Sequence, residues 1–259
     1  MKKSLSIFSA ILCLFICLSS CARDSSPTYV QDMEHNETLD IPTSVTLGAT
    51  DDMGKDYIDS FIFFGESTTY HLKSRGVLSG GKDTTQVWAP SSGTVNLDST
   101  TASLKILYPE TGEYLTVSEA AAKKKPKYML LCFGLNGAAK NVRLGKEYYT
   151  SCYRSLLDAI RSASPNTKLI LQSGYPVASN MDMSAYSCDA RELNGYIATL
   201  NGWTRELAEE YGAKYLNTAE VLTDSEGFLK LQYQNGDGHH MTAAAYKVIL
   251  EYIRTHGYV

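Results

Sequence analysis

The chain has little with which to hold a polyanion. Of its 259 residues, 24 are Lys or Arg against 28 Asp or Glu, a net charge of −4. No long basic run interrupts that balance, which excludes nucleic acid as a principal partner, since phosphate binding needs clustered cations. The one basic cluster, Lys123, Lys124, Lys125 and Lys127, reads as a solvated helix end. Proline is scarce at 7 and glycine stands at 19, excluding collagen-like and proline-rich disordered classes. No internal repeat points to a solenoid. Cysteine is scarcer than its count of 6 suggests, because Cys13, Cys17 and Cys21 fall in the N-terminal segment. The remaining Cys132, Cys152 and Cys188 are odd in number and show no CxxC spacing, so neither a disulfide framework nor a zinc site is indicated. Cys132 reads as a small buried hydrophobe, and pairing of Cys152 with Cys188 stays open. What is present, 44% hydrophobic and 20% charged, is the composition of a globular protein with length for a substantial core.

Long apolar runs are also lacking. Lys2 and Lys3 precede the stretch from Leu5 to Leu18, which is short for a membrane span and right for the core of a signal peptide. It ends in Leu18-Ser19-Ser20-Cys21, which resembles a bacterial lipobox. That resemblance implies cleavage after residue 20, lipidation of Cys21, and a protein anchored on the outer side of the cytoplasmic membrane, in the bacterial cell envelope. Two acyl chains on one residue suffice for stable anchoring. From Ala22 to about Thr50 the chain is rich in Ser, Thr, Asp, Asn and Pro, the composition of a tether. As a flexible coil it would hold a domain roughly 30 Å from the bilayer. The expected organisation is thus a signal peptide at 1–20, a tether at 21–50 and one folded domain at 51–259.

Within that domain, short apolar runs alternate with amphipathic stretches, the pattern of an α/β fold with a largely parallel sheet. Five strands are expected: Phe61 to Phe64, Gln86 to Ala89, Tyr128 to Phe133, Lys168 to Gln172 and Ala213 to Leu216. Helical periodicity covers Tyr148 to Ser162 and Arg191 to Tyr211. Thr242 can cap a last helix with Gly257 as its stop. Leu104 to Leu107 looks like an added strand, and Ser118 could cap a helix from Glu119 to Lys124.

In open α/β sheets ligands bind at the carboxyl ends of the strands, and three segments fall there. Phe61-Ile62-Phe63-Phe64-Gly65-Glu66-Ser67 runs a strand into a Ser at a helix start, where the hydroxyl can be a nucleophile and the N–H can help hold an oxyanion; a plain helix cap is the bland alternative. Tyr128 to Gly137 ends a buried strand in Gly134-Leu135-Asn136-Gly137, where Asn136 can donate to an oxyanion or simply form the turn. Gly236-Asp237-Gly238-His239-His240 places an Asp three residues before a His, so that the carboxylate can orient the imidazole and leave its other nitrogen free as a base; a Gly-rich surface turn is the alternative. The adjacent histidines have no H-x-x-x-H or carboxylate cluster to support a metal.

Together, in this order, the segments resemble the SGNH/GDSL hydrolase family. The resemblance implies a three-layer, flavodoxin-like α/β fold with a central, mainly parallel five-stranded sheet and helices on both faces. It further implies Ser67 as nucleophile, His240 as base and Asp237 as its partner, with an oxyanion hole from the Ser67 and Gly93 N–H groups and the Asn136 amide; Gly76 is the alternative to Gly93. No metal or organic cofactor is required. Two departures stand out: Glu66 replaces the usual Asp, and Gly137 the Asp that often follows Asn. His239 is left between substrate contact and turn surface. The implied activity is that of a surface-anchored serine esterase acting on short acyl groups, most simply O-acetyl, carried on carbohydrate. A lipid or lysophospholipid esterase and a non-catalytic glycan- or solute-binding lipoprotein are the competing readings. The latter has no need for Ser67 and His240 to meet.

Overall fold

The computed structural model describes residues 44–259. The expected signal peptide, the lipidation site Cys21 and most of the expected tether lie outside the described residues. In chain order the elements are α1 (Gly54–Asp59), β1 (Phe61–Gly65), α2 (Ser67–Ser74), β2 (Val87–Trp88), β3 (Lys105–Leu107), β4 (Tyr114–Thr116), α3 (Val117–Lys124), β5 (Tyr128–Cys132), α4 (Ala138–Leu144), α5 (Lys146–Ala163), β6 (Lys168–Gln172), α6 (Ala190–Glu210), β7 (Lys214–Leu216), α7 (Ala219–Leu222) and α8 (Ala243–Arg254).

Five strands form one parallel sheet in the order β2-β1-β5-β6-β7. Successive side chains along β1 point to opposite faces, as strand geometry requires. Ile62 and Phe64 enter a core with residues of α3, α5 and α6, whereas Phe61 and Phe63 enter a second core with residues of α1, α2 and α8. Both faces of the sheet are therefore covered, and its strands read as continuous apolar runs for that reason. Counted among sheet strands alone, the order is the flavodoxin-like one, which reverses direction between β1 and β5 and opens a crevice beyond their carboxyl ends.

The added strand expected at Leu104 to Leu107 is present as β3, which pairs antiparallel with β4 in a separate two-stranded ribbon. Three expectations need adjustment. Helix α3 is capped by Thr116 and not Ser118: the Thr116 side chain accepts the Glu119 N–H while the Glu119 carboxylate takes the Thr116 N–H, a reciprocal capping box. Helix α8 begins after Thr242 as expected but ends at Arg254, ahead of Gly257. The folded body also starts before Asp51. Leu47 N–H donates to the Tyr215 carbonyl at 2.8 Å and Tyr215 N–H to the Val45 carbonyl at 2.9 Å, and Leu47 is buried. Val45 and Leu47 are a two-residue apolar alternation inside a polar stretch, too short to stand out from the tether composition. Cys152 and Cys188 are both free. Lys123 and Lys124 pair with Glu113 and Glu110 on the exposed end of α3, as a solvated helix end would.

Candidate active site

The site grows from the end of β1. A Cβ on Gly65 would lie 2.2 Å from the Cys132 carbonyl oxygen, so only glycine lets β1 run this close to the end of β5. Glu66 follows in an extended conformation as the N-cap of α2, without a side-chain cap bond. Its carboxylate turns inward and accepts the N–H groups of Gly134, Leu135 and Asn136 at 3.0, 3.1 and 3.0 Å. Burial pushes the Glu66 carboxyl up to about 7, against those three donors, which favour its charge. The substitution of Glu for Asp thus leaves the Ser untouched and uses the carboxylate to knot the loop after β5.

Ser67 is the first residue of α2, and its N–H belongs to the first-turn donors that a helix leaves without an internal acceptor. The hydroxyl is not spent on capping. Ser67 Oγ lies 2.9 Å from His240 Nε2, and His240 Nδ1 lies 2.8 Å from Asp237 Oδ2. The other carboxylate oxygen of Asp237 accepts the N–H groups of His239 and His240 at 3.0 and 2.8 Å. Burial works to raise the Asp237 carboxyl, but those two N–H groups and the His240 imidazole hold it down at about 2, so it stays charged beside the ring.

The turn bearing Asp237 and His240 is braced from outside. Gly238 has φ +84°, and a Cβ there would meet the Met181 Cα at 2.6 Å. Its carbonyl accepts the Ala178 N–H at 2.7 Å, and Met241, directly after His240, is buried. A bridge between Gln234 and Met241 closes the turn at its base.

Gly93 and Asn136 both line, with Ser67 and His240, a crevice of about 560 Å³. Their donors are engaged within the protein. Gly93 N–H donates to the Pro90 carbonyl at 2.9 Å, and the Asn136 amide donates to Thr94 Oγ1 at 3.0 Å and to the Val95 carbonyl at 3.3 Å. Gly93 has φ +72°, and a Cβ there would press on the Tyr70 ring at 3.0 Å. Gly76, the alternative, follows the far end of α2 and is not part of the crevice wall. Gly137 has φ +70° as the N-cap of α4, a backbone position that Gly holds without strain.

Sequence reasoning passed over His71. It follows Ser67 by one helical turn on the same face, and its ring centroid stands 4.3 Å from that of His240. Burial, with repulsion from His240 and Arg75, pushes His71 down to about 4, so it is neutral near pH 7. His239, whose ring centroid is 4.0 Å from that of His240, is also pushed down by burial and by His240. His239 is thus a half-buried neighbour of His240. Tyr70, Ser92, Thr94, Asn96, Leu135 and Tyr186 also line the crevice; spacing to Ser67 could have signalled His71 and Tyr70, but nothing local singles out Thr94, Asn96 or Tyr186.

Among the described residues, Asp237, His239 and His240 are the group whose donor atoms, within 4.8 Å of one another, could share a metal ion. The Asp237 carboxylate is already spent on two backbone N–H groups and the His240 ring. The arrangement is suited instead to passing a proton from hydroxyl to imidazole beside a fixed negative charge.

A parallel α/β sheet with hydroxyl, imidazole and carboxylate in series at its switch point defines a class of acyl-ester hydrolases. The sequence model of the GDSL-like Lipase/Acylhydrolase family matches residues 63–248. The chain belongs to that family and is a carboxylic ester hydrolase. Among solved structures, one of a proposed platelet activating factor from Streptococcus pneumonia is similar at 19% identity and TM-score 0.51, over 74% of this chain and 81% of that one. A GDSL-like lipase from Bacteroides thetaiotaomicron is similar at 16% identity and TM-score 0.43, over 76% and 87% of the two chains. A proposed acylhydrolase from Bacteroides fragilis is similar at 16% identity and TM-score 0.44, over 73% and 81%. No curated protein matches the chain.

Proposed function

We propose that this hydrolase is a lipid-anchored serine esterase that removes short acyl groups, most simply O-acetyl, from carbohydrate. The observation that carries the catalytic part is the continuous series Ser67 Oγ to His240 Nε2 at 2.9 Å and His240 Nδ1 to Asp237 Oδ2 at 2.8 Å, made by residues 173 positions apart in the chain. That convergence also speaks against a purely binding role.

In the proposed reaction, Ser67 Oγ attacks the ester carbonyl as its proton passes to His240 Nε2. The oxyanion is held by the Ser67 N–H, with Gly93 N–H and the Asn136 amide exchanging their present acceptors for it, a tightening that substrate often brings. The carbon–oxygen bond to the alcohol breaks and His240 returns its proton to the departing oxygen. Water, deprotonated by His240, then attacks the acyl-Ser67 ester; the acid leaves and Ser67 regains its proton. Asp237 keeps its charge throughout and fixes the ring.

The crevice supports a short acyl chain and a polar alcohol. Leu135 and the rings of Tyr70 and Tyr186 are its apolar elements, beside Ser92, Thr94 and Asn96, which can bond sugar hydroxyls. Aromatic faces that stack on sugar rings and polar groups that bond hydroxyls favour carbohydrate over a lipid tail. The anchor rests on Leu18-Ser19-Ser20-Cys21. The test is a panel of acetylated glycans and of p-nitrophenyl esters of rising chain length. Each buried methylene is worth roughly 0.8 kcal/mol, so an acyl tunnel would show activity climbing with length. Activity highest on acetate is expected; a climb through octanoate would instead establish the lipid-esterase reading.

A further inference from the structure

Arg75 caps the C-terminal end of α2, the helix that begins with Ser67. Its Nε donates to the Met241 carbonyl at 3.2 Å, directly after the base. The Asn235 side chain lies between Arg75 and Asp237, and one orientation of its amide serves the guanidinium, the Asp237 carboxylate and the His240 carbonyl at the expense only of a long 3.4 Å bond from the Asp237 N–H. Its oxygen accepts from Arg75 Nη2 at 2.6 Å; its nitrogen donates to the two Asp237 carboxylate oxygens at 3.0 and 3.1 Å and to the His240 carbonyl at 3.2 Å. The Asn235 backbone N–H donates to that same carbonyl at 2.9 Å. We propose that Asn235 and Arg75 are positioning residues for the proton relay: Arg75 fixes the Asn235 amide, and Asn235 fixes the Asp237 carboxylate that aims His240.

The need for such a chain follows from exposure. The Asp237 side chain is 40% exposed and that of His240 20%, so water competes for the carboxylate that sets the ring angle. Backbone N–H groups hold one oxygen of Asp237 from within its own turn. Among the described residues, only the Asn235 amide reaches both oxygens, and only Arg75 ties that amide to another element. A single helix then carries the nucleophile at one end and the clamp on the base's turn at the other. Displacement of the turn relative to Ser67 would have to break bonds at both ends of α2. The guanidinium suits this task because its Nε and Nη2 serve two acceptors from one rigid plane, which an ammonium does not.

This deepens the esterase reading and rests on it, so the test pairs a kinetic with a spectroscopic measurement on the full chain. Asn235→Asp keeps the size of the side chain and its contact with Arg75 but can no longer donate to Asp237. With p-nitrophenyl acetate, kcat should fall by about 10-fold to 100-fold with KM unchanged, by analogy with the loss when an outer partner that orients a metal-ligating histidine is removed. Asn235→Ala and Arg75→Met should each lower kcat as well. Their double variant should be no worse than Asn235→Ala alone, because Arg75 acts through Asn235. In proton NMR, the low-field resonance of the His240 Nδ1 proton bonded to Asp237 should shift or broaden in all of them. That readout stands even if the wild-type protein cleaves no ester offered, an outcome that would defeat the esterase reading alone. A folded Asn235→Asp variant with wild-type kcat and an unmoved resonance, or single effects that multiply in the double variant, would overturn the proposal.

Discussion

Glu66 and Asn136, 70 positions apart, are joined by a 3.0 Å bond from the Asn136 backbone N–H to the Glu66 carboxylate. The strand that delivers the Ser and the loop that delivers the Asn are thereby fixed to one buried group. Because burial raises that carboxyl from 4.5 to about 7, the folded protein retains a proton there that the unfolded chain releases. The contribution of Glu66 to stability is then full below pH 4.5 and lost as pH rises to about 7, an interval worth about 3 kcal/mol. Glu66→Gln carries no titrating group. The stability of wild type relative to this variant, followed by denaturant melts, should decline across that window and stay level above it. A difference independent of pH would show that Glu66 is ionised in the fold as it is in the open chain.

Gly238→Ala should damage the turn that carries the base. The added Cβ would meet Met181 Cα at 2.6 Å, and the φ of +84° disfavours any side chain. Strain of this kind costs about 1–3 kcal/mol. A lowered Tm together with a fall in kcat larger than any change in KM is expected, since Asp237 and His240 flank the site of strain. An unchanged Tm would mean that the segment around Met181 yields freely.

The strands and long helices were legible because burial on two faces writes continuous apolar runs into β1, β5 and β6, while α5 and α6 repeat apolar residues every three or four positions. The Ser67, Asn136 and Asp237 to His240 segments were legible for a related reason: each follows or precedes such an element directly. What stayed hidden depends on contacts between distant parts of the chain. Thr116 and Ser118 look equally fit to cap α3, and only the Glu119 carboxylate reaching back selects Thr116. Val45 and Leu47 join the fold through Tyr215, far along the chain. The Arg75 contact with Met241 spans 166 positions, and no local pattern announces it. The present commitment of Gly93 N–H to Pro90 is likewise a property of the turn, invisible in the composition around it.

Cys21 should carry the anchor. Cys21→Ser removes the thiol that accepts the lipid, so the protein should leave the membrane fraction or persist as unprocessed precursor, measured by fractionation and by labelling with a fatty-acid analogue. Retention in the membrane with undiminished label would place the attachment elsewhere.

The roles within the site should separate kinetically. Ser67→Ala and His240→Ala should each nearly abolish hydrolysis of p-nitrophenyl acetate, since Ser67 Oγ and His240 Nε2 share one proton at 2.9 Å and act as a unit. The double variant should then be little worse than either single one, as expected of groups without independent contributions. Asn136→Ala should leave the acyl-enzyme route open but slower by about 10²–10³, the usual cost of one oxyanion donor. Because the Asn136 amide also bonds Thr94 and Val95, its loss should loosen the crevice wall and raise KM as well, which separates it from the two relay residues. Asp237→Asn keeps an oxygen to accept the His239 and His240 N–H groups, but turned so it faces the ring with an amide nitrogen and favours the wrong tautomer. Its loss should be smaller than that of His240→Ala, because the base itself remains. Burst kinetics at high enzyme concentration would measure acylation in each variant directly. Wild-type turnover in folded Ser67→Ala would remove the nucleophile from Ser67 and with it the proposed mechanism.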